Sequence, residues 1–194
     1  NYGLTENDLG TVFQAGKEIG IGAAPLKDIM AHLKTTYCRT IGAEFMFIRK
    51  PEILEWLYMR MEKDKNLPSF TPGEKKHIYF HLKLAVGFEQ FIHKKYIGQK
   101  RFSLEGGESL IPALDAVIEK GAILGIEEFI IGMSHRGRLN VMANILQKPY
   151  EDIFGEFTGK FYDESISLGD VKYHLGYGNT VKTDTGKKIK LNLV

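Results

Sequence analysis

The stretch EEFIIGMSHRGRLNVMANIL, Glu127 to Leu146, sets the fold class. EEFIIGM reads as a short apolar strand, buried on both faces, and GRLNVMANIL resumes helical spacing. Between them Gly132 and Gly137 bracket a turn that carries Ser134, His135 and Arg136. Upstream, GGESLIPALDAVIEKGAILG is an amphipathic helix with Leu110, Ile111, Leu114, Val117 and Ile118 on its inner face. Downstream, PYEDIFGEF starts another helix, with Pro149 suited to its first turn. Helix, buried strand, turn and helix is the grammar of an α/β fold built on a parallel sheet. Ligands in such sheets sit beyond the carboxyl ends of the strands, where the turn at His135 falls.

The residue types in that turn suit anion chemistry. A guanidinium such as Arg136 offers a fork of donors matched to phosphate or carboxylate. An imidazole such as His135 exchanges protons near neutrality, its unperturbed pKa being about 6.5. The start of the following helix is expected to aim backbone N–H groups at the same place. The turn alone fits a solvated basic loop equally well. A second glycine-flanked histidine, His174 in GDVKYHLG, reads either as part of the same site or as a plain structural hairpin.

The first hundred residues read as helical. PLKDIMAHLKTTY places Leu26, Ile29, Met30, Leu33 and Tyr37 on one face, and PEILEWLYMRMEK places Ile53, Leu54, Leu57 and Met61 likewise. Thr71, Pro72 and Glu74 make a capping-box start for a long helix whose stripe runs Ile78, Leu82, Ala85, Phe88, Ile92, Tyr96. The text changes near Gly98, so a helical domain over 1–98 and an α/β domain over 99–194 are expected. His32, His77, His81 and His93 read as ordinary surface or core residues of helices, and no metal-binding residues are assigned. Lys94, Lys95, Lys100 and Arg101 read as a wet helix end. GIGAAP, Gly20 to Pro25, lacks the preceding strand that a phosphate loop needs. In KRFSLEGGESLIPALD, the pair Gly106–Gly107 before a helix lets the chain turn sharply.

Composition excludes several classes. The 194 residues carry 26 basic against 24 acidic side chains, a net charge of +2, too small and too scattered for a nucleic-acid partner. One cysteine, Cys38, excludes an internal disulfide framework and a cysteine-rich zinc site. No apolar run reaches the ~20 residues of a membrane helix. KKIKLNLV ends the chain with Ile189, Leu191 and Leu193 alternating as in a strand. A terminal strand needs neighbours, which suggests a piece of a longer protein; a complete domain whose last strand closes its own sheet is the alternative.

Taken together, YIGQKRFSLEGGESLIPALD, IGMSHRGRLNVMANIL and GDVKYHLG, with YGLTENDL and YCRTIGAEFMFI upstream, resemble the thiamine-diphosphate-dependent decarboxylating component of 2-oxoglutarate dehydrogenase. The likeness covers essentially the whole chain. It implies that His135 and His174 are catalytic, handling the substrate and its protons, and that Arg136 contacts the diphosphate side of the cofactor. It further implies thiamine diphosphate and Mg2+, most of whose ligands are expected downstream of Val194, so that the chain alone is expected to be inactive. The α/β half would be the first part of a thiamine-diphosphate-binding domain. Implied partners are 2-oxoglutarate, a lipoyl-bearing succinyltransferase core and a second copy of the full-length protein. A bacterial cytoplasm is implied rather than a mitochondrial matrix. A homologue acting on 2-oxoadipate and a non-enzymatic assembly module remain as alternatives. Ser134 stands where the family often has Ala or Pro, and Phe47 where many members carry His.

Overall fold

A computed structural model of the chain describes residues 3–158 and 176–194. It is a mixed helix-and-sheet protein in two compact units, Asn1–Phe70 and Thr71–Val194. No helix among the described residues is long and apolar enough to cross a membrane.

The first unit pairs two short antiparallel strands, β1 (Val12–Phe13) and β2 (Ala24–Pro25), and adds helices α1 (Leu26–Tyr37) and α2 (Pro51–Lys63). The inner face of α1 is rotated from the one its apolar residues suggest. Ile29, His32 and Thr36 are buried, while Met30 and Tyr37 are exposed. Polar contacts accompany the rotation. His32 Nε2 lies 2.9 Å from the backbone carbonyl of Glu62, and the Thr36 hydroxyl donates to the carbonyl of His32 at 3.0 Å. The Tyr37 hydroxyl donates to Glu62 Oε1 at 2.6 Å, and burial together with that carboxylate raises its pKa above the ordinary phenol value. Helix α2 buries none of its residues completely.

The second unit contains α3 (Pro72–Lys95), α4 (Leu110–Ile123), β3 (Glu128–Ile131), α5 (Arg138–Asn144), α6 (Tyr150–Thr158), β4 (Tyr177–Lys182) and β5 (Lys188–Leu193). Helix α3 thus belongs to the same compact unit as the sheet. The reason is the α3 stripe. Ala85, Phe88 and Ile92 are buried in one cluster with Ile111, Ile118 and Ala122 of α4 and Val141 and Met142 of α5.

The sheet order is β3-β5-β4. β3 and β5 are parallel, with Phe129 opposite Leu191 and Ile131 opposite Leu193, and β4 closes a hairpin antiparallel to β5. The terminal strand thus lies in the middle of its sheet, with both neighbours supplied by this chain. Ile189, Leu191 and Leu193 are buried as their alternation requires. β3 departs from the expectation of a strand buried on both faces, because Ile130 is 72% exposed. Its outward row continues a polar ladder in which Glu128 accepts from Lys190 at 2.9 Å and from Asn192 at 2.6 Å. Val117 of α4 is likewise exposed rather than inward. At Gly121 the backbone of α4 lies so close to the sheet that an added Cβ would come 2.4 Å from Phe129 Cζ.

Candidate functional site

The turn from Gly132 to Gly137 joins the end of β3 to the start of α5, as the strand–turn–helix reading requires. Gly137 fixes its shape. Its φ is +77°, and a Cβ there would meet Leu104 Cδ1 at 2.5 Å. Its N–H donates to the carbonyl of Phe102 at 2.9 Å, so the 102–105 segment is clamped directly onto the turn.

That segment is held in turn by a buried polar network. Glu89 of α3, 4% exposed, accepts from Arg101 Nη1 at 2.8 Å, from the Leu104 N–H at 3.1 Å and from Asn140 Nδ2 at 3.1 Å. Asn140 also donates to the carbonyl of Ala85 at 3.0 Å. One carboxylate therefore locks α3, the 101–104 segment and α5 together. A buried ion pair of this kind is strongly destabilised by losing one partner, because a charge is left uncompensated. Arg101 is accordingly a packing residue and not part of a wet helix end.

The two arginines that flank Gly137 have opposite fates. Arg138 is 3% exposed, donates to the carbonyls of Val194 at 3.0 Å and Met133 at 3.4 Å, and has its pKa lowered by burial. It ties the start of α5 to the end of β5. Arg136 is exposed, and its Nη1 reaches the carbonyl of Glu105 at 3.5 Å, a long contact that leaves the guanidinium available. His135 beside it is half-buried, its ring 5.1 Å from that of Phe102 with a tilt of 43°. The ammonium of Lys100 lies 5.0 Å from the same Phe102 ring. His135 and Lys100 thus flank one aromatic side chain, with Arg136 next to His135 in the turn, and the Glu89 network fixes the segment that carries that ring.

One expectation needs adjustment. The N–H groups of Gly137 and Arg138 are used internally, the second by the carbonyl of His135 at 3.0 Å, so neither of these two is offered to an anion at the helix start. His174 lies outside the described residues, as does the rest of the GDVKYH stretch. Glu89 and Asn140 went unread as site-shaping residues. The available signal is a carboxylate on the inward row of α3, between Phe88 and Ile92. Phe47 is exposed in the first unit, and Ser134 is exposed in the turn itself.

Comparison with known proteins agrees with the motifs. The chain is 46% identical over 186 residues to a protein of Cupriavidus necator named 2-oxoglutarate dehydrogenase E1 component, covering 95% of this chain and 20% of that protein. Proteins of the same name from Brucella anthropi and Azotobacter vinelandii are each 45% identical, over 100% and 96% of this chain and 19% and 20% of their own lengths. The chain therefore spans about a fifth of the length of the curated relatives it matches. No family model matches it.

Proposed function

We propose that this chain, similar along essentially its whole length to 2-oxoglutarate dehydrogenase E1 components, is a segment of such an oxidoreductase and carries one wall of its active site. The single observation that supports this reading is that identity of 45–46% over 95–100% of the chain. In this reading residues 99–194 are the first part of a thiamine-diphosphate-binding α/β domain, with α3 as its packing support. The substrate is 2-oxoglutarate, the acceptor is a lipoyl group on a succinyltransferase core, the working protein is a homodimer and its compartment is a bacterial cytoplasm.

The chemistry is loss of carbon dioxide from a 2-oxo acid, followed by passage of the remaining succinyl group to the lipoyl disulfide, which is reduced. Thiamine diphosphate, when bound, supplies the electron sink that the departing carboxylate requires. The residues at the turn fit its anionic end. Arg136 presents an exposed guanidinium, and Lys100 adds a second positive charge near the Phe102 ring. Arg136 would hold a diphosphate oxygen through its fork of donors. His135, steadied by Phe102, would give a proton to the substrate's carbonyl oxygen as charge develops there and take it back when the carbonyl is restored on acyl transfer. His174 would serve the distal carboxylate or a second proton transfer. Magnesium takes oxygen ligands, and the turn itself has no carboxylate, so the metal is assigned to other residues.

The test uses the full-length protein that contains this sequence. His135→Ala is expected to lower 2-oxoglutarate turnover on the order of 10²-fold, the usual scale for removing an acid–base or oxyanion group. Arg136→Ala is expected to weaken thiamine-diphosphate binding first. Near-normal turnover with His135→Ala would show that the turn is structural and that an assembly role fits the chain better.

A further inference from the structure

Away from the glycine-bracketed turn, α3 and α4 bring together three side chains that ligate metals. His77 and His81 stand four residues apart on α3, so one helical turn puts both imidazoles on the same face, their ring centroids 4.5 Å apart. Asp115 of α4 faces them, its Oδ2 2.6 Å from His77 Nε2 and its Oδ1 3.5 Å from His81 Nε2. One donor atom from each residue lies within 4.8 Å of the other two. Small side-chain rotations bring such a set onto one ion at bonds of about 2.0–2.2 Å.

An ion pair accounts for only part of this arrangement. Pairing with Asp115 Oδ2 at 2.6 Å satisfies Nε2 of His77. It does not account for His81, which approaches the same carboxylate while its Nδ1 is buried with no hydrogen-bond partner. A cation between the two rings would accept a lone pair from each imidazole. The surroundings match a metal's outer shell as well. His77 Nδ1 lies 3.5 Å from Asp184 Oδ2, the relation by which a carboxylate orients a ligating histidine. Asp184 is placed by its own N–H, which donates to Glu119 Oε1 at 2.8 Å. The three ligands line a cavity of about 380 Å³ that Asn144 and Thr183 also border, space enough for coordinated water.

We propose that His77, His81 and Asp115 form a site for one divalent cation of the zinc type, with water from the cavity completing its coordination and Asp184 orienting His77. Two imidazoles and a carboxylate suit zinc or cobalt, whereas magnesium and calcium prefer oxygen ligands throughout. The ion would staple α3 to α4. The site lies apart from His135 and Arg136 in sequence and shares none of their residues, so it stands or falls independently of the proposed function.

The test is calorimetric titration of the full chain with zinc chloride, with cobalt(II) as a spectroscopic probe and magnesium as control. One saturable equivalent of zinc is expected, with a rise in melting temperature and no effect of magnesium. His81→Ala and Asp115→Asn are each expected to weaken zinc binding on the order of 10²-fold, and Asp184→Ala about 10-fold. His93→Ala, elsewhere on α3, is expected to change nothing. In the cobalt form, proton NMR should show shifted N–H resonances from two imidazoles, a readout on the unaltered chain. Absence of saturable zinc binding, or wild-type affinity in folded His81→Ala and Asp115→Asn, would overturn the proposal. So would a cobalt spectrum dominated by thiolate bands from Cys38.

Discussion

Gly137 carries two constraints at once, a left-handed backbone and contact with the Leu104 side chain. Gly137→Ala is therefore expected to destabilise the protein by about 2 kcal/mol, of which about 1 kcal/mol is the cost of a Cβ at positive φ and the rest the displacement of Leu104. Urea unfolding separates the two. In a Leu104→Ala background the penalty should shrink to about 1 kcal/mol, whereas an unchanged penalty would mean that packing against Leu104 contributes nothing. At this scale the sequence exposes the residues that point outward and hides those that point inward. His135 and Arg136 are legible because glycines and a strand end single them out. Glu89 is not, because its charge makes sense only beside Arg101, which sits in a run of basic residues that looks solvated. His77 and His81 are half legible: their spacing is visible, but Asp115 reaches them only through the packing of α3 on α4.

The start of α3 is a self-contained device. The Thr71 N–H donates to Glu74 Oε2 at 2.7 Å, and the Glu74 N–H donates to Thr71 Oγ1 at 3.2 Å. Thr71→Ala is expected to cost about 1 kcal/mol by urea unfolding at neutral pH. The backbone N–H of Thr71, and then its hydroxyl, hold the Glu74 carboxyl below its ordinary pKa of 4.5. A depressed folded-state pKa gives stability that is present above the unfolded value and disappears as pH falls through the folded one. Glu74→Gln should thus be less stable than the parent at neutral pH, and the difference should close in acid below the normal carboxylate range. A difference independent of pH would show that the charge has no part in the cap. Helices such as α3 are legible because caps and periodicity are local. The sheet is less so, since the pairing of β5 with β3 joins segments far apart in sequence. The outward polar ladder of Glu128, Lys190 and Asn192 becomes visible only once that register is known.

Over the whole chain, apolar burial is unevenly shared between the two units. Among the described residues only Ala24, Ile29 and Phe45 are buried apolar side chains in Asn1–Phe70, whereas one cluster of nineteen fills Thr71–Val194. Each fully buried aliphatic or aromatic side chain contributes roughly 1.5–3 kcal/mol against the entropy of ordering the chain. Opening of the second unit must therefore cost far more than opening of the first. Helix α2 marks the lower limit, because it buries no residue completely and leaves Trp56 and Met59 more than half exposed. Local stability of this kind is read by amide hydrogen exchange, which follows the free energy of the cheapest opening that frees each N–H. The amides of α2 are expected to exchange orders of magnitude faster than those of α5 and β5 at the same pH. The slowest amides should be those bonded across the β3–β5 pair, where Leu191 and Leu193 belong to the buried cluster, and those of Val141 and Met142 in the same cluster. Equal protection in α2 and β5 would mean that the chain unfolds as a single cooperative body, and that the first unit draws stability from something other than its own core.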